Sequence, residues 1–321
     1  MNPQETAVAL DSALATLRQL GGPIQAGLLA CAALLGVASL MPSLASRRRR
    51  ALALTTALLA AGELLLVWFH WQLYSTAVVV DPVSQTVVGR LAVPLWIESE
   101  KLYLWALIVA VMGLCARSHR DELLPGVGLT VSLLTVGAVL WGRPFTDPLP
   151  SFFGQYVSYL QAMASGVPEA AQQAFQAIEG SRRYFYNTWY MWVHPPLLFF
   201  SYGAFALSFL ATLLMIARRH SSYERLAYHW ARLGYLPLTA GMLLGFPWAI
   251  MAWQGESWWW SGKVNMSIMM WLLYTAYLHG RLYLRHRGMW RWVALLSILS
   301  FVILVLTYLA TYVVPGAHSY A

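Results

Sequence analysis

Apolar residues run along this chain in long blocks separated by short polar stretches. Eight blocks are long enough to cross a hydrocarbon core of roughly 30 Å as helices. They lie at residues 22–42, 51–70, 95–115, 123–141, 191–216, 232–252, 264–284 and 292–314. The pattern predicts an all-α, polytopic integral membrane helical bundle, a single membrane domain over 1–321, with four spans in 22–141, an external loop at 142–190 and the remaining spans in 191–321. Two polar intervals carry signals of their own. Within 71–92, "STAVVVDPVSQTVVG" sets two β-branched runs around Asp81-Pro82 and predicts a hairpin or an extended flap. In "PEAAQQAFQAIEG", Pro168 marks a helix start and Gly180 a stop, so a short surface helix is expected inside the long loop.

Composition reinforces the membrane reading. Hydrophobic residues make up 59% of the chain and charged residues 11%, against about 25% charged in soluble domains. The net charge of +8 is no argument for nucleic acid, because in a membrane protein the placement of basic residues matters more than their sum. With Arg47 to Arg50 on the cytoplasmic side, Arg117, Arg120, Arg218, Arg219, Arg225, Arg232, Arg281, Arg285, Arg287 and Arg291 fall on that side too. Eight crossings then leave both termini extracytoplasmic, in the cytoplasmic (inner) membrane or a thylakoid-type equivalent. The N-terminal stretch lacks a basic start, an apolar run and a cleavage site, and reads as an amphipathic lead-in. Cys31 and Cys115 sit in expected spans without a C-x-x-C context, which predicts buried packing for both.

Topology sorts the eight histidines by depth. His119, His220 and His286 lie among cytoplasmic arginines as solvated loop residues. His194, in "WVHPPLLFFSYG", and His318, in "GAHSYA", stand at the outer ends of the fifth and eighth spans. They share that depth with Trp253, Gly255 and the run Trp258, Trp259, Trp260. Two imidazoles beside an aromatic shelf meet the needs of a planar metal macrocycle: two axial nitrogens and an apolar surface. Lys263, Ser257, Ser261 and the indole N–H groups are placed to serve its propionates. An interfacial aromatic belt is the plainer account of the same tryptophans. His279 lies deeper in its span, where an ionisable ring is either a functional group or an interhelical hydrogen bond. Glu63 lies two turns from His70 on one helix face, as a proton or ion relay or as bundle packing.

At these residues the chain resembles the haem-handling membrane proteins of cytochrome c maturation, the CcsA, CcmF and CcmC family. Their segment W-G-x-x-W-x-W-D-P-x-E, followed by a span with a Leu-His pair, aligns on "YLHGR" to match Gly255, Trp258, Trp260, Trp271 and His279. "HPPLLFFSYGAFALSF", "RPFTDPLPS" and "NMSIMMWLLYTAYLH" are similar to CcmF, and "HWARLGYLPLTAGMLLGFPWAIMAW" to CcsA. Ser261 and Val264 stand where the family has acidic residues, and Gln254 where it has the first tryptophan.

The resemblance implies haem b held by His194 and His318 as axial ligands, Trp258 and Trp260 as its shelf, and His279 as ligand of a second haem or of haem in transit. It implies a component of a holocytochrome c synthase (haem lyase) that presents haem to apocytochrome c beside a CcsB-like membrane partner, with no catalytic nucleophile. Two other readings stay open: a haem b electron-transfer subunit of a respiratory complex, and a structural subunit that binds no haem.

Overall fold

The computed structural model describes residues 3–116, 120–254, 258–283 and 289–313. Its helices are α1 (Pro3–Leu40), α2 (Arg48–Thr76), α3 (Lys101–Cys115), α4 (Arg120–Gly137), α5 (Pro150–Ala164), α6 (Pro168–Ser181), α7 (Trp189–Arg218), α8 (Ser221–Ala252), α9 (Gly262–Gly280) and α10 (Met289–Val313). Strands β1 (Val78–Val80) and β2 (Val87–Arg90) follow α2 as an antiparallel hairpin, so the expected hairpin forms.

The fold is all-α apart from that hairpin. Among the described residues, six helical segments are long and apolar enough to cross a membrane: Gln4–Leu40, Pro42–Thr76, Asp121–Gly142, Trp189–Arg218, Ser221–Ala252 and Met289–Ala310. The other two expected spans are helices of a different kind. The 95–115 block is helical as α3 only over its last 15 residues, about 22 Å at roughly 1.5 Å per residue. A short 3-10 turn at Glu98–Glu100 precedes it. α9 has 19 residues, with Lys263, Asn265, Thr275 and His279 among its aromatic ones. At the other end of the chain, α1 runs unbroken from Pro3 and buries Thr6, Leu10, Ala13 and Leu17 while Val8 and Leu20 stay exposed. That spacing is the one-sided stripe expected of the N-terminal lead-in.

The chain forms two compact units. The first comprises residues 1–34, 53–107 and 132–193. Its hairpin turns at Asp81, whose carboxylate accepts the Val83 N–H at 2.9 Å and the Ser84 hydroxyl at 3.0 Å. Gln85 takes a left-handed conformation, φ 55. Side chains cover the hairpin's outer edges, as isolated strands require. The Tyr156 hydroxyl donates to the Val78 carbonyl, Tyr159 donates to the Val80 carbonyl and accepts the Val80 N–H, and the Asn187 amide joins the Arg90 carbonyl to the Ala92 N–H. Both tyrosines belong to α5, a helix inside the long loop beyond the one expected at α6. α5 buries Phe152, Tyr156, Tyr159 and Leu160, an i, i+4, i+7, i+8 face.

The second unit comprises residues 35–52, 108–131 and 194–321. α9 packs on α10 and α8. Small residues let helices approach closely where lipid offers no hydrophobic drive. A β-carbon on Gly234 would meet the Phe205 ring at 2.9 Å, and one on Gly241 would meet Leu198 at 2.9 Å. Phe205 stacks on Tyr274 at 3.6 Å between ring centroids, and Phe209 on Phe301 at 4.3 Å. Thr212 and Ser297 share a buried hydroxyl pair at 2.8 Å. Cys31, in the first unit, is buried as expected, but Cys115 is exposed, because it ends α3 rather than lying inside a packed span.

Candidate functional site

His194 enters the site from the second turn of α7, immediately ahead of Pro195 and Pro196. Its Nδ1 lies 2.6 Å from the carbonyl oxygen of Gly241 on α8. A carbonyl only accepts, so Nδ1 is assigned the hydrogen and Nε2 the lone pair. A histidine that donates one ring N–H to a carbonyl and keeps the other nitrogen free has the form that metal sites use. Gly245, one turn further along α8, lies directly under the ring: a β-carbon there would stand 2.7 Å from His194 Cε1. Trp248 flanks the imidazole at 6.1 Å between centroids and a 30° angle.

The aromatic run follows the end of α8. Trp253, the residue after α8, meets Trp248 edge-on at 4.7 Å. The three consecutive tryptophans form a 3-10 turn and differ widely in exposure. Trp258 is 4% exposed and stacks on Trp259 at 3.8 Å. Trp259 lies over Phe246 at 5.5 Å. Trp260 stands out at 81% exposure. Trp258 and Phe246 therefore support the shelf, while Trp259 and Trp260 offer ring surface.

Ser261, where the resemblance leads one to expect an acid, caps α9: its hydroxyl accepts the Val264 N–H at 3.4 Å. Serine and aspartate are comparable at a helix N-cap, so that part of the position's work survives the replacement. Lys263 occupies the first turn of α9 and makes no ion pair among the described residues. A cation at a helix N-terminus faces the positive end of the dipole, and an anionic ligand group would relieve it.

His279 is exposed near the C-terminal end of α9, with Nδ1 2.8 Å from the Thr275 carbonyl and no hydrogen bond at Nε2 among the described residues. His229, on α8, is exposed and stands edge-on to Trp230 at 5.8 Å. His318 and Gly255, with Ser257, His119 and His286, lie outside the described residues. His220 is exposed and caps α8. Thus His194, Trp248, Trp253, Phe246 and the three tryptophans gather at the end of α8, and His279 lies at the far end of α9.

Sequence reasoning missed one pairing. His70 is buried, but the side chain it bonds is Glu100, not Glu63: Nε2 lies 2.8 Å and 3.0 Å from the two Glu100 carboxylate oxygens, and Nδ1 lies 2.8 Å from the Val93 carbonyl. Helical periodicity reports neighbours seven residues away and is blind to a residue on a separate turn. The signal available was a glutamate inside an apolar block, at the head of α3.

The apolar helices define an integral membrane protein. A profile described as cytochrome C assembly protein matches residues 95–318. The cytochrome c-type biogenesis protein CcmF of Escherichia coli is 34% identical over 135 residues, 40% of this chain and 21% of that protein. CcmF of Haemophilus influenzae is 27% identical over 244 residues, 73% of this chain and 33% of that protein. The cytochrome c biogenesis protein CcsA of Synechococcus sp. is 36% identical over 104 residues, 32% of this chain and 31% of that protein. The chain belongs to the cytochrome c assembly family, and it spans at most about a third of these relatives' length.

Proposed function

We propose that this protein binds haem b at its extracytoplasmic face and presents it for attachment to an apocytochrome c, as the haem-holding part of a membrane assembly. The observation that carries the reading is His194: its Nδ1 is tied to the Gly241 carbonyl, Nε2 is left as the ligand nitrogen, and Trp248 of α8 flanks the ring at 6.1 Å. In this reading His194 and His318 would ligate the haem iron, Trp259 and Trp260 would support the ring, and Lys263 would meet a propionate. His279, exposed on α9 with its Nδ1 at the Thr275 carbonyl, would take haem at the cytoplasmic side against a ligand from a CcsB-like or other membrane partner. All eight helical blocks cross the inner membrane, and both termini lie outside the cytoplasm.

When bound, the haem supplies vinyl groups to which the thiols of a C-x-x-C-H segment add. The chain's own part is orientation and exclusion of water. The first experiment is the absorption spectrum of the purified protein, oxidised and dithionite-reduced, with a pyridine extract to identify the haem, for wild type and His194→Gly. A haem b spectrum that loses its strong-field ligand in His194→Gly supports the reading. A wild-type protein that neither carries nor takes up haem sinks it. A reporter fused after Ala321 and active only in the cytoplasm would overturn the topology.

A further inference from the structure

Gly241, Gly245 and Trp248 stand at i, i+4 and i+7 on one face of α8, and each meets His194. The Gly241 carbonyl accepts from Nδ1 at 2.6 Å. A β-carbon on Gly245 would lie 2.7 Å from Cε1, 3.1 Å from Nδ1 and 3.4 Å from Nε2 of the ring. The imidazole therefore occupies the volume that any other residue at 245 would fill. It is no flexible chain end free to swing aside, since the bond to Gly241 holds it from one side and Trp248 from another.

We propose that Gly241 and Gly245 are positioning residues for His194 as an axial haem ligand: Gly245 leaves room for the ring, and Gly241 decides which nitrogen faces the iron. The proposal rests on the haem reading above and goes beyond it, because it locates the orientation of the ligand in two backbone positions of another helix. Donation from Nδ1–H to a carbonyl also raises the basicity of Nε2 and strengthens its hold on oxidised iron. Glycine at 245 is then a requirement of the site. The Gly-x-x-x-Gly spacing is here a seat for an imidazole as well as a helix-packing device.

Gly234 provides the control. It lies on the same helix, eleven residues before Gly245, and its β-carbon would meet Phe205 at 2.9 Å and the Ser201 carbonyl at 3.0 Å, comparably tight and away from His194. Full-length Gly245→Ala, Gly234→Ala and His194→Gly are purified, supplied with haemin and compared with wild type by absorption spectrum, haem content and melting temperature. Both alanine variants are expected to melt lower. Of the two alanine variants, only Gly245→Ala is expected to lose, as His194→Gly does, the low-spin spectrum of a strong-field nitrogen ligand, with added imidazole restoring it.

If His194→Gly changes the spectrum while Gly245→Ala keeps that of wild type, or Gly234→Ala changes it equally, the seat is overturned and the haem reading stands. An unchanged spectrum in His194→Gly overturns both. Should Gly245→Ala fail to accumulate, the double variant with His194→Gly vacates the volume the new methyl needs. Recovery of folded protein in the double variant supports the seat, and no recovery overturns it.

Discussion

The indole Nε1 of Trp96 donates to the backbone carbonyl of Met191 at 2.5 Å. In an uninterrupted helix that carbonyl would accept the N–H of residue 195, which in α7 is Pro195 and has none. Trp96 thus supplies the donor that proline removes, where an unpaired polar group is costly. Trp96 also meets Trp192 edge-on at 5.4 Å. Trp96→Phe keeps most of the ring and loses the donor, and should cost about 1–3 kcal/mol. In a Pro195→Ala background the helix regains its own N–H, and the same change should cost markedly less. Thermal unfolding of the four proteins in detergent measures the difference. Equal costs in the two backgrounds would refute the substitution of one donor for the other.

His70 and Glu100 make the second case. Both are buried, and each ring nitrogen faces an acceptor. Removing one member strands the other in a low-dielectric interior, so His70→Ala or Glu100→Ala should each destabilise by about 3–5 kcal/mol. The pair replaced together, as His70→Phe with Glu100→Leu, should cost far less than the sum. Glu63→Gln, outside the bonded pair, should have the smallest effect. Melting temperatures rank the four, and an additive double variant would dissolve the coupling.

The hairpin and α6 hold carboxylates whose proton affinity the fold depresses. The Val83 N–H, with help from Ser84, holds Asp81 below its usual range, and the Arg182 side chain, with Arg183, does the same for Glu179. A depressed carboxylate contributes stability above its unfolded pKa, about 4. That contribution is lost as pH falls through the lower folded value. Acid should therefore loosen this region below about pH 4, read as faster hydrogen exchange at Val83, Ser84 and the end of α6. Asp81→Asn should show no such step at the hairpin, and Glu179→Gln none at α6. An acid step that persists in both variants would assign it to other groups.

The elements that apolar length alone dictates were legible in the chain: every block expected as a span is helical somewhere in its length. The misses have physical causes. α3 starts late because Glu98 and Glu100, inside an apolar block, belong to a turn that makes side-chain contacts rather than to a helix. α5 was hidden because its face of Phe152, Tyr156 and Tyr159 lies in a stretch whose Pro, Gly and Ser content reads as loop. The partner of His70 and the seat of His194 both depend on which segments meet, information that periodicity does not carry. Three identical tryptophans in a row have nothing in their order to separate the buried Trp258 from the exposed Trp260. The tight turn that holds them makes that distinction.

That distinction separates two mutants at the aromatic shelf. Trp258 fills core volume against Trp259 and Phe246, so Trp258→Ala should cost about 3–5 kcal/mol and lower the melting temperature clearly. Trp260 is 81% exposed, and Trp260→Ala should leave the melting temperature nearly unchanged. On the proposed haem site it should instead lower haem retention without altering the ligation spectrum, since it removes contact area and no bond. Haem content after repeated detergent washing is the readout. Wild-type retention in Trp260→Ala would take that ring off the site.

The N-cap of α9 allows a test of what the missing acid did. The Ser261 hydroxyl accepts the Val264 N–H, and the chain turns into α9 beside it with φ −63 and ψ 141. Ser261→Ala removes the cap and should cost about 1 kcal/mol. Ser261→Asp keeps the acceptor, and its charge gains from the positive end of the helix dipole by roughly 0.3–1 kcal/mol. It should therefore match or exceed wild type in stability. The aspartate also brings a negative charge two residues from Lys263, the cation proposed to meet a propionate. If capping is all the position does, haem retention in Ser261→Asp should follow stability and be equal or higher. If Lys263 is needed as a cation for the ligand, Ser261→Asp should be as stable as wild type yet retain less haem, because the new carboxylate competes for the ammonium and repels the propionate. Melting temperature and haem content, measured on the same preparations of Ser261→Ala and Ser261→Asp, separate these outcomes. A Ser261→Ala variant with wild-type stability would remove the cap from the account altogether.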